Sequence, residues 1–320
     1  MNRKLHLSAL AFLACTAATP GHATEKGLGV YQPGSENFGC CNPPPPGWYA
    51  LFYATDYRAT HLRDDAGDDV LAPTGMGPHG PTGFARLPFK LAVDTLTTRL
   101  LYVLPTQVAG AEVALHAIVP LVRAHNTVGG GGTIVPVQSQ TKSGLGDAFF
   151  GIGMGWHMTP EFSTVAGIDV AAPTGSYDKA DLVNTGVNHW AGELVYGMSY
   201  LHPGGFAGDA KLVYLVNATN HATDYRSGQE FDVDYAAGWA ASPGLVLGVG
   251  GYLYHQLTDD RQGGAVVNGN GNRGRAFAVG PSMRYDFGKG GFATLKYQFE
   301  SGVHDRTEGH RLWLKVVTRF

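Results

Sequence analysis

The sequence has no long apolar run beyond its first residues and no excess of basic charge. After residue 23 no apolar run reaches about eighteen residues, whereas a helix needs about twenty to cross a bilayer. Lys and Arg number 23 against 26 Asp and Glu, while nucleic-acid-binding domains are typically basic. These absences argue against transmembrane helices, and no nucleic-acid partner is predicted.

Cysteine is nearly absent too: the chain has three, and two of them, Cys40 and Cys41, are adjacent. Neighbouring cysteines can close only a strained ring, so they do not form a disulfide framework. The third cysteine lies within the first 23 residues, and no His is near the pair, so a metal site is a poor interpretation. The state of the pair stays open, and neither a cofactor nor a metal is predicted.

The first 23 residues read as an export signal. Arg3 and Lys4 form a basic n-region, Leu5 to Ala18 an apolar h-region, and Gly21-His22-Ala23 a small-x-small cleavage site. The alternative, a lipoprotein cut before Cys15, is less consistent with the preceding residues. Removal of residues 1–23 leaves 21 basic and 26 acidic residues, a net charge near −5.

Helical periodicity is scarce, and alternating segments rich in glycine take its place. They predict twelve strands, roughly at 47–61, 90–105, 110–123, 144–157, 161–172, 189–201, 206–217, 229–241, 245–258, 275–287, 292–301 and 309–320. Short turns and long polar loops alternate between them. This layout is typical of transmembrane barrels, with short turns in the periplasm and long loops outside.

The two faces of these strands differ as a barrel wall requires. In the eighth strand Phe231, Val233 and Tyr235 alternate with Glu230, Asp232 and Asp234. Lipid cannot hydrate a charge, so the charged face is expected to line the interior. The predicted fold is an all-β, antiparallel up-and-down transmembrane barrel of about twelve strands.

Two strands are harder to assign. In the first, Phe52, Asp56 and Arg58 are predicted to point inward, opposite to the parity of the tyrosines. In the second, Asp94 and Arg99 fall on opposite parities, which predicts a bulge or a different register.

Residues 24–46 precede the barrel, which is predicted over 47–320. Pro43 to Pro46 cannot donate ladder hydrogen bonds and block strand pairing before the first strand. The segment is interpreted either as a periplasmic lead-in lying under the barrel or as a hatch inside it.

Enzyme chemistry is not indicated. Histidines scatter over strand ends and loops, and no Gly-x-Ser-x-Gly elbow is present. The acidic stretch 64–69 could hold calcium, but it fits a solvated loop better. We predict no catalytic residues.

The C-terminal segment ends on Phe320 after an alternating strand, which resembles the assembly signal of Gram-negative outer-membrane proteins. Further stretches are "PPPGWY" (44–49), "GLGDAFFGIG" (144–153), "APTGSYD" (172–178), "TDYRSGQEFDVDYAAGW" (223–239), "GGYLYHQLTDD" (250–260), "GPSMRYDFG" (280–288) and "EGHRLWLKV" (308–316). Together they resemble the outer-membrane protein family of the meta-pathway of phenol degradation.

The resemblance implies a Gram-negative outer-membrane location, with membrane lipid and the barrel-assembly machinery as partners. It also implies a channel for passive uptake of small hydrophobic compounds, aromatic ones foremost. The alternative is a closed structural, adhesive or enzymatic barrel. Substrate, gating and oligomeric state stay open. From strand parity the predicted channel-lining residues are Phe149, Tyr252, Tyr254, Trp313, Asp232, Asp234, Lys296, Arg284 and Arg311.

Overall fold

A computed structural model of the chain describes residues 25–27 and 29–320. The signal peptide predicted over 1–23 lies outside the described residues. The described part holds no helix long and apolar enough to cross a membrane.

The described residues form one closed antiparallel barrel with small additions at its long-loop end. The wall strands are β1 (Gly47–Leu62), β4 (Phe89–Val103), β5 (Glu112–Val128), β6 (Gln138–Leu145), β7 (Ala148–His157), β8 (Phe162–Ala172), β9 (Ala191–Leu201), β10 (Phe206–Asn217), β12 (Glu230–Ser242), β13 (Leu245–Gln256), β16 (Arg275–Gly288), β17 (Gly291–His304) and β18 (Thr307–Arg319).

Short strands in the long loops make up the additions. β2 (Leu71–Gly77) and β3 (Gly80–Arg86) form a hairpin, and β11 (Tyr225–Arg226), β14 (Arg261–Gln262) and β15 (Ala265–Val266) form a small sheet. Two 3₁₀ turns, Glu25–Gly27 and Val267–Gly269, complete the described elements.

The first and last strands close the barrel. β1 pairs with β18 from Tyr49↔Arg319 to Leu62↔Thr307, and its other edge pairs with β4. The half of β5 nearer the long loops pairs with β6, and the half nearer the short turns pairs with β7. β6 and β7 therefore form one interrupted strand. The predicted twelve-strand barrel is therefore confirmed.

The interruption between β6 and β7 has a local cause. Pro120 on β5 has no N–H to donate, and its carbonyl accepts the backbone N–H of Gly146 at 2.8 Å. The Asp147 side chain then accepts the N–H groups of Gly175 (2.8 Å) and Val187 (2.7 Å). This carboxylate fastens loop 173–190 beside the end of β6.

The charged-inside pattern holds for β12, where Glu230, Asp232 and Asp234 are buried. The predictions for the first two strands were wrong. In β1, Phe52 is 42% exposed and Tyr53 is buried, so Phe52, Asp56 and Arg58 face outward. β4 pairs with β1 without interruption, so no bulge separates Asp94 from Arg99.

An outward-facing ion group explains both errors. Arg58 Nη2 lies 2.7 Å from Asp56 Oδ2 and 2.8 Å from Asp94 Oδ1. The positive charge of Arg58 therefore neutralises part of the negative charge of the two aspartates, in the extracellular half of the wall. A charge on the outer face near the membrane interface costs far less than one at the bilayer midplane.

Candidate functional site

The N-terminal segment (residues 25–27 and 29–46) follows the inside of the barrel from one end to the other. Glu25 accepts hydrogen bonds from Tyr177 Oη and Asn220 Nδ2, both at 2.7 Å, in the long loops. At the short-turn end, the Pro45 carbonyl accepts Tyr49 Oη at 2.8 Å. Of the two predicted placements, the contacts match the one inside the lumen; whether the segment acts as a hatch stays a prediction.

Asp234, a predicted lining residue, anchors the middle of this segment. Its Oδ1 accepts the N–H of Gly34 at 2.6 Å. Its Oδ2 accepts Tyr31 Oη at 2.8 Å and the N–H of Glu36 at 2.9 Å. A carboxylate that accepts several N–H and O–H donors fixes both the position and the direction of the bound chain.

Glu36 is the segment's charged contact with the barrel wall. Its Oε2 lies 2.6 Å from Lys315 Nζ, and its Oε1 accepts Tyr53 Oη at 3.3 Å and lies 3.8 Å from Arg99 Nη1. The Glu36 backbone carbonyl accepts Lys296 Nζ at 2.6 Å.

Cys40 and Cys41 belong to the same segment, and both thiols are free. The Cys41 N–H donates to Ser199 Oγ at 3.0 Å. A β-carbon at Gly197 would lie 2.2 Å from Cys41 Sγ, so only glycine permits this close approach. The pair is thus packed against the wall, and its described surroundings provide no metal-binding cluster.

The extracellular half of the lumen contains a cavity of about 1860 Å³. One wall is apolar, although it faces the barrel interior. Its side chains come from β1, β4, β5 and the β2–β3 region, and include Leu62, Val70, Leu87, Phe89, Leu91, Val93, Ile118 and Val122. Several of these residues pack into one apolar cluster with Tyr57.

The inward face of β4 changes character with depth. From the extracellular end it presents Phe89, Leu91 and Val93, then the hydroxyls of Thr95 and Thr97, and finally Arg99. Arg99, Glu36 and Lys211 line the deep end of the cavity together. An apolar body would therefore find its contacts high in the cavity and a polar group would find them low.

Four of the nine predicted lining residues face this cavity: Phe149, Tyr252, Arg311 and Trp313. The Arg311 guanidinium lies 4.5 Å from the Tyr57 ring centroid and 5.6 Å from that of Trp313. The Trp313 indole N–H is buried and has no hydrogen-bond partner among the described residues. Tyr252 Oη donates to Glu300 Oε1 at 2.6 Å.

The remaining predicted residues do not line the cavity. Asp234 and Lys296 bind the N-terminal segment, and Arg284 Nη1 donates to the Phe38 carbonyl at 3.2 Å. The Arg306 guanidinium covers the Tyr254 ring at 3.9 Å. Asp232 is fully buried, and neither of its oxygens has a partner within the described part of the chain.

Sequence reasoning missed Glu36, Arg99 and the apolar wall. The uninterrupted parity from Phe89 to Arg99 was the available signal for the wall and for Arg99. No local pattern marks Glu36, because its partners lie on strands distant in sequence.

The closed barrel, its charged inward faces and its apolar outer surface define an outer-membrane β-barrel of Gram-negative bacteria. The chain belongs to the family described as "Putative MetA-pathway of phenol degradation", whose model matches residues 64–316. A search of curated proteins finds no match.

One solved structure shares the fold, and others are less similar. An outer-membrane channel from Pseudomonas putida F1 is 17% identical with a TM-score of 0.71, covering 88% of this chain and 98% of its own. The β domain of the Bordetella autotransporter BrkA is 10% identical with a TM-score of 0.49, covering 85% and 99%. The CymD monoaromatic hydrocarbon channel is 10% identical with a TM-score of 0.43, covering 87% and 89%.

Proposed function

We propose that the protein is an outer-membrane channel for the passive uptake of small hydrophobic solutes, aromatic ones included. The observation that carries this proposal is the apolar wall inside the barrel, at the end that faces the outside of the cell. A lumen serving only water-soluble solutes has no need of such a wall. We propose no catalytic residue, cofactor or metal.

The cavity can concentrate such solutes by ordinary burial. Removing apolar surface from water contributes roughly 25 cal/mol per Å², so a solute burying roughly 150 Å² gains roughly 4 kcal/mol. Contact of an aromatic ring with Phe89 or Phe149 adds about 0.5–1.5 kcal/mol. A gain of roughly 4–5.5 kcal/mol corresponds to a Kd of roughly 1 mM to 0.1 mM, which enriches the solute in the cavity and still permits release.

The N-terminal segment occupies the path between this cavity and the periplasm. We propose that it acts as a hatch, held by Asp234 and by the Lys315–Glu36 pair. A closed structural, adhesive or enzymatic barrel is the alternative, and it predicts no uptake in any form of the protein.

Uptake through vesicles with a lipopolysaccharide outer leaflet tests the proposal. Naphthalene should enter faster than arabinose and faster than into protein-free vesicles. A double substitution, Val93→Thr with Val122→Thr, keeps side-chain shape but places two hydroxyls on the apolar wall. At roughly 1 kcal/mol for each buried hydroxyl, naphthalene uptake should fall by an order of magnitude.

The matched control is Val249→Thr, the same change on the lipid-facing surface of β13. It should leave uptake unchanged. Heat-modifiable migration on gels verifies folding of each variant. Equal uptake by the double variant would remove the apolar wall from the mechanism, and no naphthalene uptake by the wild type would favour the closed barrel.

A further inference from the structure

We propose that Glu36 occupies a carboxylate subsite at the deep end of the cavity as a built-in substitute for the solute. The preferred solutes are then amphipathic anions, with an apolar body and a carboxylate at opposite ends. This inference rests on the proposed uptake function and adds the chemical class of the solute.

The subsite already binds a carboxylate. Both Glu36 oxygens are engaged: Oε2 by Lys315 Nζ at 2.6 Å, and Oε1 by Tyr53 Oη at 3.3 Å with Arg99 Nη1 at 3.8 Å. Contacts from an ammonium group, a guanidinium group and a hydroxyl form a recognition set for a carboxylate.

The same set has capacity left over. Arg99 Nε is buried and has no hydrogen-bond partner among the described residues. Lys211 also lines the cavity, and its Nζ lies 5.0 Å from the Tyr31 ring centroid. Its positive charge interacts with the carboxylates of Glu36, Asp234 and Glu193. Arg99 therefore has an unused donor, and it is the cation whose strand continues into the apolar wall.

Access to the subsite runs along β4. The order Phe89, Leu91, Val93, Thr95, Thr97, Arg99 passes from apolar through hydroxyl to cationic along one inward face. A solute lying along this face places its apolar end on the wall and its carboxylate at Arg99. A neutral solute contacts the same apolar wall, but the cations stay paired with Glu36.

Competition for these cations links the solute to the N-terminal segment. A solute carboxylate that takes over Arg99 and Lys315 leaves Glu36 without these two cations. The segment then loses the ion pairs that Glu36 makes with the wall. Cys40 and Cys41, four and five residues further along, are the only cysteines of the described chain and become the natural reporter of this loosening.

The experiment compares two probes with the same apolar body, 4-butylbenzoate and 4-butylbenzamide. Binding to the full-length mature protein in nanodiscs is measured by calorimetry near neutral pH, with empty nanodiscs subtracted. The benzoate should bind about tenfold more tightly, as expected when a charge-assisted contact replaces a neutral one. It should also accelerate maleimide labelling of Cys40 and Cys41, whereas the benzamide should not.

Glu36→Gln removes the competing charge and should tighten benzoate binding further, with little change for the benzamide. The matched control is Glu25→Gln, the same change in the same segment, where the carboxylate accepts hydrogen bonds from the neutral Tyr177 and Asn220. It should leave both affinities unchanged.

Equal binding of the two wild-type probes would overturn the carboxylate subsite and leave hydrophobic uptake intact. Equal effects of Glu36→Gln and Glu25→Gln would also overturn it, because general loosening would then explain the change. No binding of either probe would count against both the subsite and the uptake function. If Glu36→Gln fails to fold, the wild-type comparison and the labelling still decide.

Discussion

The Nζ atom of Lys315 lies 2.6 Å from Oε2 of Glu36, although 279 positions separate the two residues in sequence. Both side chains are buried, with 3% and 7% exposure. Removing one partner of a buried ion pair leaves an uncompensated charge and costs roughly 3–5 kcal/mol. This contact therefore controls how firmly the N-terminal segment is held inside the barrel.

Replacing Lys315 alone should release the segment. Lys315→Gln leaves Glu36 buried without its nearest cation, so single-channel conductance and maleimide labelling of Cys41 should both rise. The double variant Lys315→Gln with Glu36→Gln removes both charges and should recover much of the wild-type behaviour. Additive effects in this double-mutant cycle would contradict a direct coupling.

Deleting residues 24–42 should leave a folded barrel that conducts more than the full chain. The wall strands close through β1 and β18 without using the deleted residues. Conductance in planar bilayers gives the measurement, and heat-modifiable migration verifies folding. Conductance equal to that of the full chain would remove the hatch role from the proposal.

Asp305 should make an extracellular contact weaken as the pH rises. Burial, and then Asp65 and Asp64, raise its pKa from 3.8 to about 6. The contribution of neutral Asp305 to stability is therefore fully present below about pH 3.8 and is lost as the pH rises through about 6. The Asp305 backbone N–H donates to the Asp64 carbonyl at 2.9 Å. Hydrogen exchange of this amide should therefore accelerate with pH more steeply than the exchange of an unprotected amide does.

Asp305→Asn should abolish this pH dependence, because the amide stays neutral and asparagine tolerates the φ of 51° at this position. Asp224→Asn is the matched control, an aspartate with a φ of 53° in a different loop. Unchanged pH dependence in Asp305→Asn would assign the effect to another group.

Phe320→Asp should reduce surface levels of the protein sharply while leaving export intact. We propose that the terminal aromatic residue is read by the barrel-assembly machinery. In the folded barrel Phe320 is 71% exposed and only loosely stacked on Trp48, with ring centroids 6.4 Å apart. The stability of barrels that do form should therefore change little, which separates an assembly defect from a folding defect.

Strand number and closure were predictable because a barrel wall separates two solvents, and that separation shapes every strand. The faces of β1 were not, because Asp56 and Arg58 suggested an inward side, whereas Arg58 pairs on the outer face with Asp56 and with Asp94 of a neighbouring strand. Parity alone cannot show such pairing between strands.

The functional site was predictable only in part for the same reason. Trp313 and Tyr252 follow from strand parity, and both line the cavity. Glu36 acquires its role from Lys315, Arg99 and Tyr53, which meet only after the barrel has closed. Tyr254 and Asp232 point inward as predicted, yet neighbouring side chains cover them.

The course of the N-terminal segment has a consequence for the order of assembly. β1 and β18 form the seam of the cylinder, and Lys315 lies on β18, which follows the other wall strands along the chain. The ion pair with Glu36 therefore cannot form until β18 has been made. A segment already beside β1 can be enclosed as the seam zips shut, which avoids threading a chain through a finished ring. Its attachments to Asp234 on β12 and to Lys315 on β18 then link two separate parts of the wall, one of them at the seam.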